Sequence, residues 1–285
     1  MLQLEIADGF ARIRFDQPGS RANVLSTAMW AALRDAVAQV AARTDLRGLI
    51  LASAKDGIFL AGADLKELYA LPENDQGPAR QVVKTGHEVL NALEGLPMPT
   101  AAAVDGACLG GGLEVAMACD LRFAGSHPKC KFGLPEVKLG LIPGWGGTQR
   151  LARLIGLAPA AELLVTGRSL TADEAVAAGL AEARPADGHL EQTAVERLAA
   201  LTPGDWSELR AKKQRAAPPA DLKHVHDLLA SLPAEERVAA QTALQVAALG
   251  NRLPLAMGCR VETEAFVPLL ASPYARARMA AFLKK

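Results

Sequence analysis

The stretch Val104-Asp105-Gly106-Ala107-Cys108-Leu109-Gly110-Gly111-Gly112-Leu113-Glu114 constrains this chain more than any other. An apolar run, Thr100 to Val104, ends in a glycine cluster and passes into a helix-like segment, Leu113 to Cys119. Glycines permit unusual dihedrals and let a ligand approach the backbone with no side chain in the way. A helix that starts there points unpaired N–H groups and the positive end of its dipole at whatever lies in front. Glu114 follows within one turn, so the stretch offers an anion-stabilising backbone beside an acid or base. Taken alone, Gly-Gly-Gly-x-Glu also fits a tight strand-to-helix turn followed by a solvated glutamate.

Two further stretches repeat the design. Phe59-Leu60-Ala61-Gly62-Ala63-Asp64-Leu65-Lys66-Glu67-Leu68 moves from an apolar strand through a glycine into a helix that Asp64 is placed to cap. Phe132 to Leu151, FGLPEVKLGLIPGWGGTQRL, supplies a second carboxylate, Glu136, fixed by Pro135, and another glycine-rich helix entry at Gly144-Trp145-Gly146-Gly147. Two backbone donor sites and two carboxylates in three strand–turn–helix units read as one constellation.

These motifs, AGADLKEL, DGACLGGGLEVAMACD and FGLPEVKLGLIPGWGGTQRL, resemble the enoyl-CoA hydratase/isomerase (crotonase) family in order and in approximate spacing. The resemblance implies an α/β fold, a spiral of repeated ββα units with a C-terminal helical region. It also implies a coenzyme A thioester as substrate, with no cofactor and no metal. By the same resemblance the N–H groups of Ala63 and Gly111 form an oxyanion hole, Glu114 orients and activates water, and Glu136 exchanges a proton at Cα. Ala61, Gly62, Asp64, Leu65, Gly110, Pro135, Gly144 and Trp145 then line the substrate. The chemistry suits these residue types. Hydration of a 2,3-enoyl thioester needs negative charge stabilised on the thioester oxygen, and preformed backbone donors contribute roughly 3–4 kcal/mol each. It also needs one group to take a proton while another supplies one, which couples the two titrations. Alternatives within the family include double-bond isomerisation. An alternative outside catalysis is a scaffold or RNA-associated protein on the same fold.

Lys+Arg and Asp+Glu are both 31, so the formal net charge is zero. That argues against a nucleic-acid binder, which needs a basic excess to displace counterions. Cys108, Cys119, Cys130 and Cys259 form no C-x-x-C pair and read as buried or free thiols. His224-x-His226 lacks a nearby ligand set, and Gly144-x-Gly146-Gly147 lacks the lysine of a phosphate loop. No apolar run reaches the ~18 residues of a membrane helix. The N-terminus opens as an alternating strand rather than a presequence. The expectation is a soluble, cytoplasmic protein.

Along the chain, Leu2 to Ala7 and Phe10 to Phe15 read as a hairpin turning at Asp8-Gly9, and Ser26 caps a helix bearing Met29, Leu33, Val37 and Val40 on one face. Tyr69 to Pro78 reads as a loop. Residues 1–202 form the expected spiral core, 203–221 a proline-containing linker, and 222–285 a helical region. The tail, with Ser272-Pro273, resembles the hydratase portion of multifunctional fatty-acid oxidation proteins. Its segments Glu235 to Leu249 and Leu255 to Leu270 carry apolar residues that need a surface to cover. The resemblance implies a homotrimer or hexamer, with a separate 3-hydroxyacyl-CoA dehydrogenase as the alternative partner. Ser126 to Cys130 is slightly longer than the family pattern, and a register shift there would displace Glu136.

Overall fold

A computed structural model describes residues 1–182 and 189–284. The chain opens with the hairpin β1 (Leu2–Ala7) and β2 (Phe10–Phe15). Asp8 and Gly9 both take positive φ, 54° and 77°, as the tightest hairpin turns require. Helix α1 (Thr27–Ala41) follows, with the Ser26 hydroxyl accepting from Met29 N–H and with Met29, Leu33, Val37 and Val40 buried.

Three ββα turns then succeed one another. The first is β3 (Gly48–Ser53), β4 (Gly57–Leu60), and helices α2 (Leu65–Ala70) and α3 (Gly77–Glu94). The second is β5 (Thr100–Val104), β6 (Gly106–Leu109) and α4 (Gly111–Ala118). The third is β7 (Leu121–Ala124), β8 (Lys131–Gly133), a 3-10 turn at Pro135–Leu139, and α5 (Gly147–Ile155). Each turn gives one strand to each of two sheets. The first sheet runs β1-β2-β3-β5-β7, and the second runs β4-β6-β8 and ends on β9 (Ser169–Thr171), which the chain reaches after α6 (Leu157–Thr166). Between successive turns all pairing is parallel. Strands so enclosed must be apolar on both faces, and every residue of β5 is buried. This is the expected spiral.

Helices α7 (Ala172–Ala177), α8 (Leu190–Ala199), α9 (Pro203–Gln214), α10 (Lys223–Ser231), α11 (Ala234–Asn251), α12 (Leu255–Leu270) and α13 (Pro273–Leu283) complete the described chain. Two local expectations need correction. The loop expected over Tyr69 to Pro78 is shorter, because α2 retains Tyr69 and α3 accommodates Pro78 in its first turn, where a missing N–H costs no hydrogen bond. The stretch expected as a linker, 203–221, is helical over Pro203–Gln214: Thr202 and Asp205 form a reciprocal capping box, with Pro203 in the first turn. The long Ser126–Cys130 segment, by contrast, disturbs nothing: it is absorbed in a loop, with His127 N–H on Asp105 and Cys130 N–H on His127 C=O. Pairing of Cys108 with Phe132 and Leu109 with Gly133 keeps β8 in register.

The C-terminal helices cover their own chain. Helix α11 packs on α5 and α6, α12 on α3 and α5, and α13 on α2 and the 3-10 turn. Ala243, Val246, Phe266, Leu270 and Met279 join the main core cluster. Among the described residues no helix is long and apolar enough to cross a membrane.

Candidate active site

The three glycine turns converge because parallel strands β4, β6 and β8 end side by side. At the first turn, Leu25 forms a parallel bridge with Ala63 through Gly62 C=O and Asp64 N–H. Bridge geometry therefore aims the N–H of Ala63 itself away from Leu25. Asp64 caps α2, its carboxylate accepting from Lys66 and Glu67 N–H at 2.9 and 3.3 Å. At the second turn, Gly111 is the first residue of α4, where helix geometry leaves the N–H without an intrahelical acceptor. Each donor follows a glycine of positive φ, Gly62 at 108° and Gly110 at 53°. A Cβ on Gly110 would also stand 2.9 Å from Glu136 Oε1. Among the described residues neither the Ala63 nor the Gly111 N–H donates to a protein acceptor.

Every catalytic and substrate-lining residue implied by the resemblance lines one cavity of about 730 Å³. The first turn contributes Ala61, Gly62, Ala63, Asp64 and Leu65. The second contributes Gly110, Gly111 and Glu114, and the third Pro135, Glu136, Gly144 and Trp145. Phe266 of α12 and Phe282 and Leu283 of α13 close it from the C-terminal side, and Gln17 to Ala22 from the N-terminal side. Lys66 is exposed at its edge. Trp145 stands edge-on to Trp30 with ring centroids 5.0 Å apart, and it packs against Gly86, where any Cβ would collide with the indole. Behind Trp145 and Leu68 lies a second cavity of about 300 Å³.

Glu114 is 1% exposed. Its Oε1 accepts from Trp145 N–H and Gly147 N–H, both at 2.7 Å, which fixes that oxygen and leaves Oε2 without a protein donor among the described residues. Glu136 differs. Its residue is half-buried, yet Oε2 is shielded from solvent with no hydrogen-bond partner among the described residues. Burial pushes the Glu136 carboxyl up to about 8, against partial relief from its own backbone N–H and with added repulsion from Glu262. Burial likewise raises Glu114, with the charges of Glu262 and Glu136 adding to it, while its two backbone donors favour the anion. Donors select the ionised form. The two backbone donors thus favour the anion on Glu114 against its burial, whereas the unpartnered Oε2 of Glu136 favours the proton.

Sequence reasoning missed Glu262, 0% exposed on α12 and directed into the same turn. The signal was present: Leu255, Cys259, Glu262 and Phe266 share one helical face, and a carboxylate on an otherwise apolar stripe needs donors. It also missed Arg150, buried on α5, which reaches Glu94 at 3.0 Å through both Nε and Nη2 and donates to Trp145 C=O at 2.8 Å.

A cavity framed by two unengaged N–H groups and two carboxylates on a ββα spiral defines a class. Residues 5–243 match the family model described as enoyl-CoA hydratase/isomerase, and the chain belongs to that family. Over 189 residues, 66% of this chain, it is 43% identical to a fatty acid oxidation complex subunit alpha of Shewanella halifaxensis (strain HAW-EB4). The match spans 26% of that relative, so the chain corresponds to about a quarter of the curated relatives it resembles. The solved enoyl-CoA hydratase from Bacillus anthracis superposes with a TM-score of 0.63 at 30% identity, covering 99% of this chain and 96% of the other. Human mitochondrial delta3-delta2-enoyl-CoA isomerase shares the fold at a TM-score of 0.73 and 22% identity, over 99% of this chain and 96% of its own.

Proposed function

We propose that the chain is an enoyl-CoA hydratase, adding water reversibly to 2-trans-enoyl-CoA to give 3-hydroxyacyl-CoA in fatty-acid or related acyl degradation. The observation that carries this reading is the meeting of two dissimilar carboxyls, Glu114 and Glu136, with the unengaged N–H groups of Ala63 and Gly111 in one largely apolar cavity. The thioester C=O accepts from those two N–H groups, which stabilise the enolate-like charge that builds on its oxygen. Glu114 takes a proton from water as the water oxygen bonds to Cβ. Glu136 delivers its proton to Cα, and the two carboxyls then recover their starting protonation by exchange with solvent. Coenzyme A enters as part of the substrate, and the steps draw on no other cofactor. The fatty-acid context is supported by the name of the Shewanella relative. Trp145 and Leu68, standing between the two cavities, are the side chains that set acyl length.

Isomerisation is the second reading, and Glu136 favours it. A buried, proton-bearing carboxyl with a bare Oε2 is also equipped to carry a proton between Cα and Cγ. Water addition to crotonyl- and decenoyl-CoA, followed as loss of enoyl-thioester absorbance, tests the hydratase. Glu114→Gln and Glu136→Gln are each expected to lower kcat by at least ~100-fold while folding and acyl-CoA binding persist. Near-normal turnover in either variant contradicts the two-carboxylate assignment.

A further inference from the structure

The turn that orients Glu114 has little to hold it in place by itself. Pro143-Gly144-Trp145-Gly146-Gly147-Thr148 contains three glycines, and glycine loses the most backbone freedom on ordering. Four consecutive N–H groups at the start of α5 nevertheless all find carboxylate acceptors, and they alternate between two residues. Trp145 and Gly147 donate to Glu114 Oε1, both at 2.7 Å. Gly146 donates to Glu262 Oε1 at 2.5 Å, and Thr148 donates to Glu262 Oε2 from its N–H at 2.9 Å and its hydroxyl at 2.6 Å. Glu262 sits 116 residues further along the chain from Gly146, on a helix that carries none of the reacting groups.

We propose that Glu262 is a positioning residue for the reaction: by gripping the N–H groups that alternate with those bound to Glu114, it locks the glycine turn and through it the Glu114 carboxylate, making turnover in the spiral core depend on α12. The inference rests on the hydratase reading of the site. Its geometry follows from helix-end physics. The first N–H groups of α5 lack intrahelical acceptors, and a helix N-terminus favours negative charge. The four N–H groups point in alternating directions, and two carboxylates share them. The Glu262 carboxyl, which burial pushes up to about 7 against its Thr148 and Gly146 donors, then faces Glu114 on α4, Glu136 on the 3-10 turn, and Arg150 on α5, with Cys259 on its own helix. From α3, Glu94 binds Arg150, and the half-buried His87 feels the same guanidinium. Repulsion between Glu262 and Glu114 raises the proton affinity of Glu114, so neutralising Glu262 shifts that affinity downwards.

Glu262→Gln keeps the side chain's size and one acceptor while removing its charge. A purely structural tie between α12 and the core would lose stability and leave kcat and its pH profile per folded molecule unchanged. The positioning role predicts a kcat lowered at least ~10-fold with KM within ~3-fold, and an acid limb of the pH–rate profile moved to lower pH. Thr148→Val, which keeps the Thr148 N–H on Glu262 but removes the hydroxyl that donates to Glu262 and accepts from Gln149 Nε2, is expected to move both in the same direction by less, and it serves if the glutamine variant folds poorly. Amide hydrogen exchange provides a readout independent of turnover: in Glu262→Gln the N–H groups of Trp145 and Gly147, held by Glu114 rather than Glu262, lose protection. Unchanged protection at both, with wild-type kcat and pH profile while Glu114→Gln is inactive, overturns the proposal and leaves the hydratase reading intact. A wild-type chain that adds no water overturns that reading, and the exchange measurement still decides whether Glu262 orders the turn.

Discussion

Burial with no donor at Oε2 keeps the proton on Glu136 up to about pH 8, against an ordinary value of 4.5. A group whose folded-state affinity is raised binds protons that the unfolded chain has released, so its stabilisation is complete below about pH 4.5 and fades as pH rises through about 8. Stability measured by urea is therefore expected to fall between those limits, and Glu136→Gln to flatten the slope and to be the more stable protein at pH 8 by ~1 kcal/mol or more. An unaltered slope in the variant contradicts the assignment. Glu114 and Glu136 were legible in the sequence because each sits at a fixed offset from a glycine or proline turn. The donors of Ala63 and Gly111 were legible for the same reason, as glycines mark where backbone meets ligand. Glu262 was not, since its partners lie over a hundred residues away and only the fold brings them together.

At the scale of elements, strands, helix caps and the ββα alternation followed from local pattern: Asp8-Gly9, Ser26 and Asp64 each occupy the turn or cap their chemistry suits. Helix α9 did not, because Pro203, Pro218, Pro219 and the run Lys212-Lys213-Gln214-Arg215 make this stretch resemble a solvated connection. The structure shows why it is ordered. Arg210 reaches Asp120 and the carbonyls of Leu96 and Met98 at 2.8–3.0 Å, and Lys213, 3% exposed, donates to Ala118 and Cys119 C=O at 2.8 and 3.0 Å. These are the last carbonyls of α4, the helix that carries Glu114, where a cation also suits the dipole. Lys213→Met leaves the Ala118 carbonyl unpaired and removes a charge near Glu94 and Asp120. A loss of about 2–4 kcal/mol in urea denaturation is expected. A change below ~0.5 kcal/mol shows that α9 is not anchored there.

For the whole molecule, the tail's apolar residues largely find their surface within the chain: Leu244, Val246, Leu255, Phe266 and Leu270 are buried, while Val238, Leu249 and Met257 stay exposed. Amphipathicity alone left own core and neighbour equally open, because a helix face does not name what covers it. We propose that the exposed remainder, Val238 and Leu249 on α11 and Met257 on α12, serves assembly into a trimer or hexamer, with a separate 3-hydroxyacyl-CoA dehydrogenase as the alternative partner. Light scattering at micromolar concentration is expected to return a multiple of 29.9 kDa, and a mass of one chain contradicts self-assembly. The central claim, that water is added across an enoyl thioester with Glu114 and Glu136 in opposite proton roles, is tested most directly by isotope incorporation. In heavy-oxygen, deuterated water the account predicts a 3-hydroxyacyl-CoA bearing the labelled oxygen at Cβ and one deuterium at Cα. Deuterium entering the acyl chain with no labelled oxygen would contradict it and assign the chain to double-bond isomerisation.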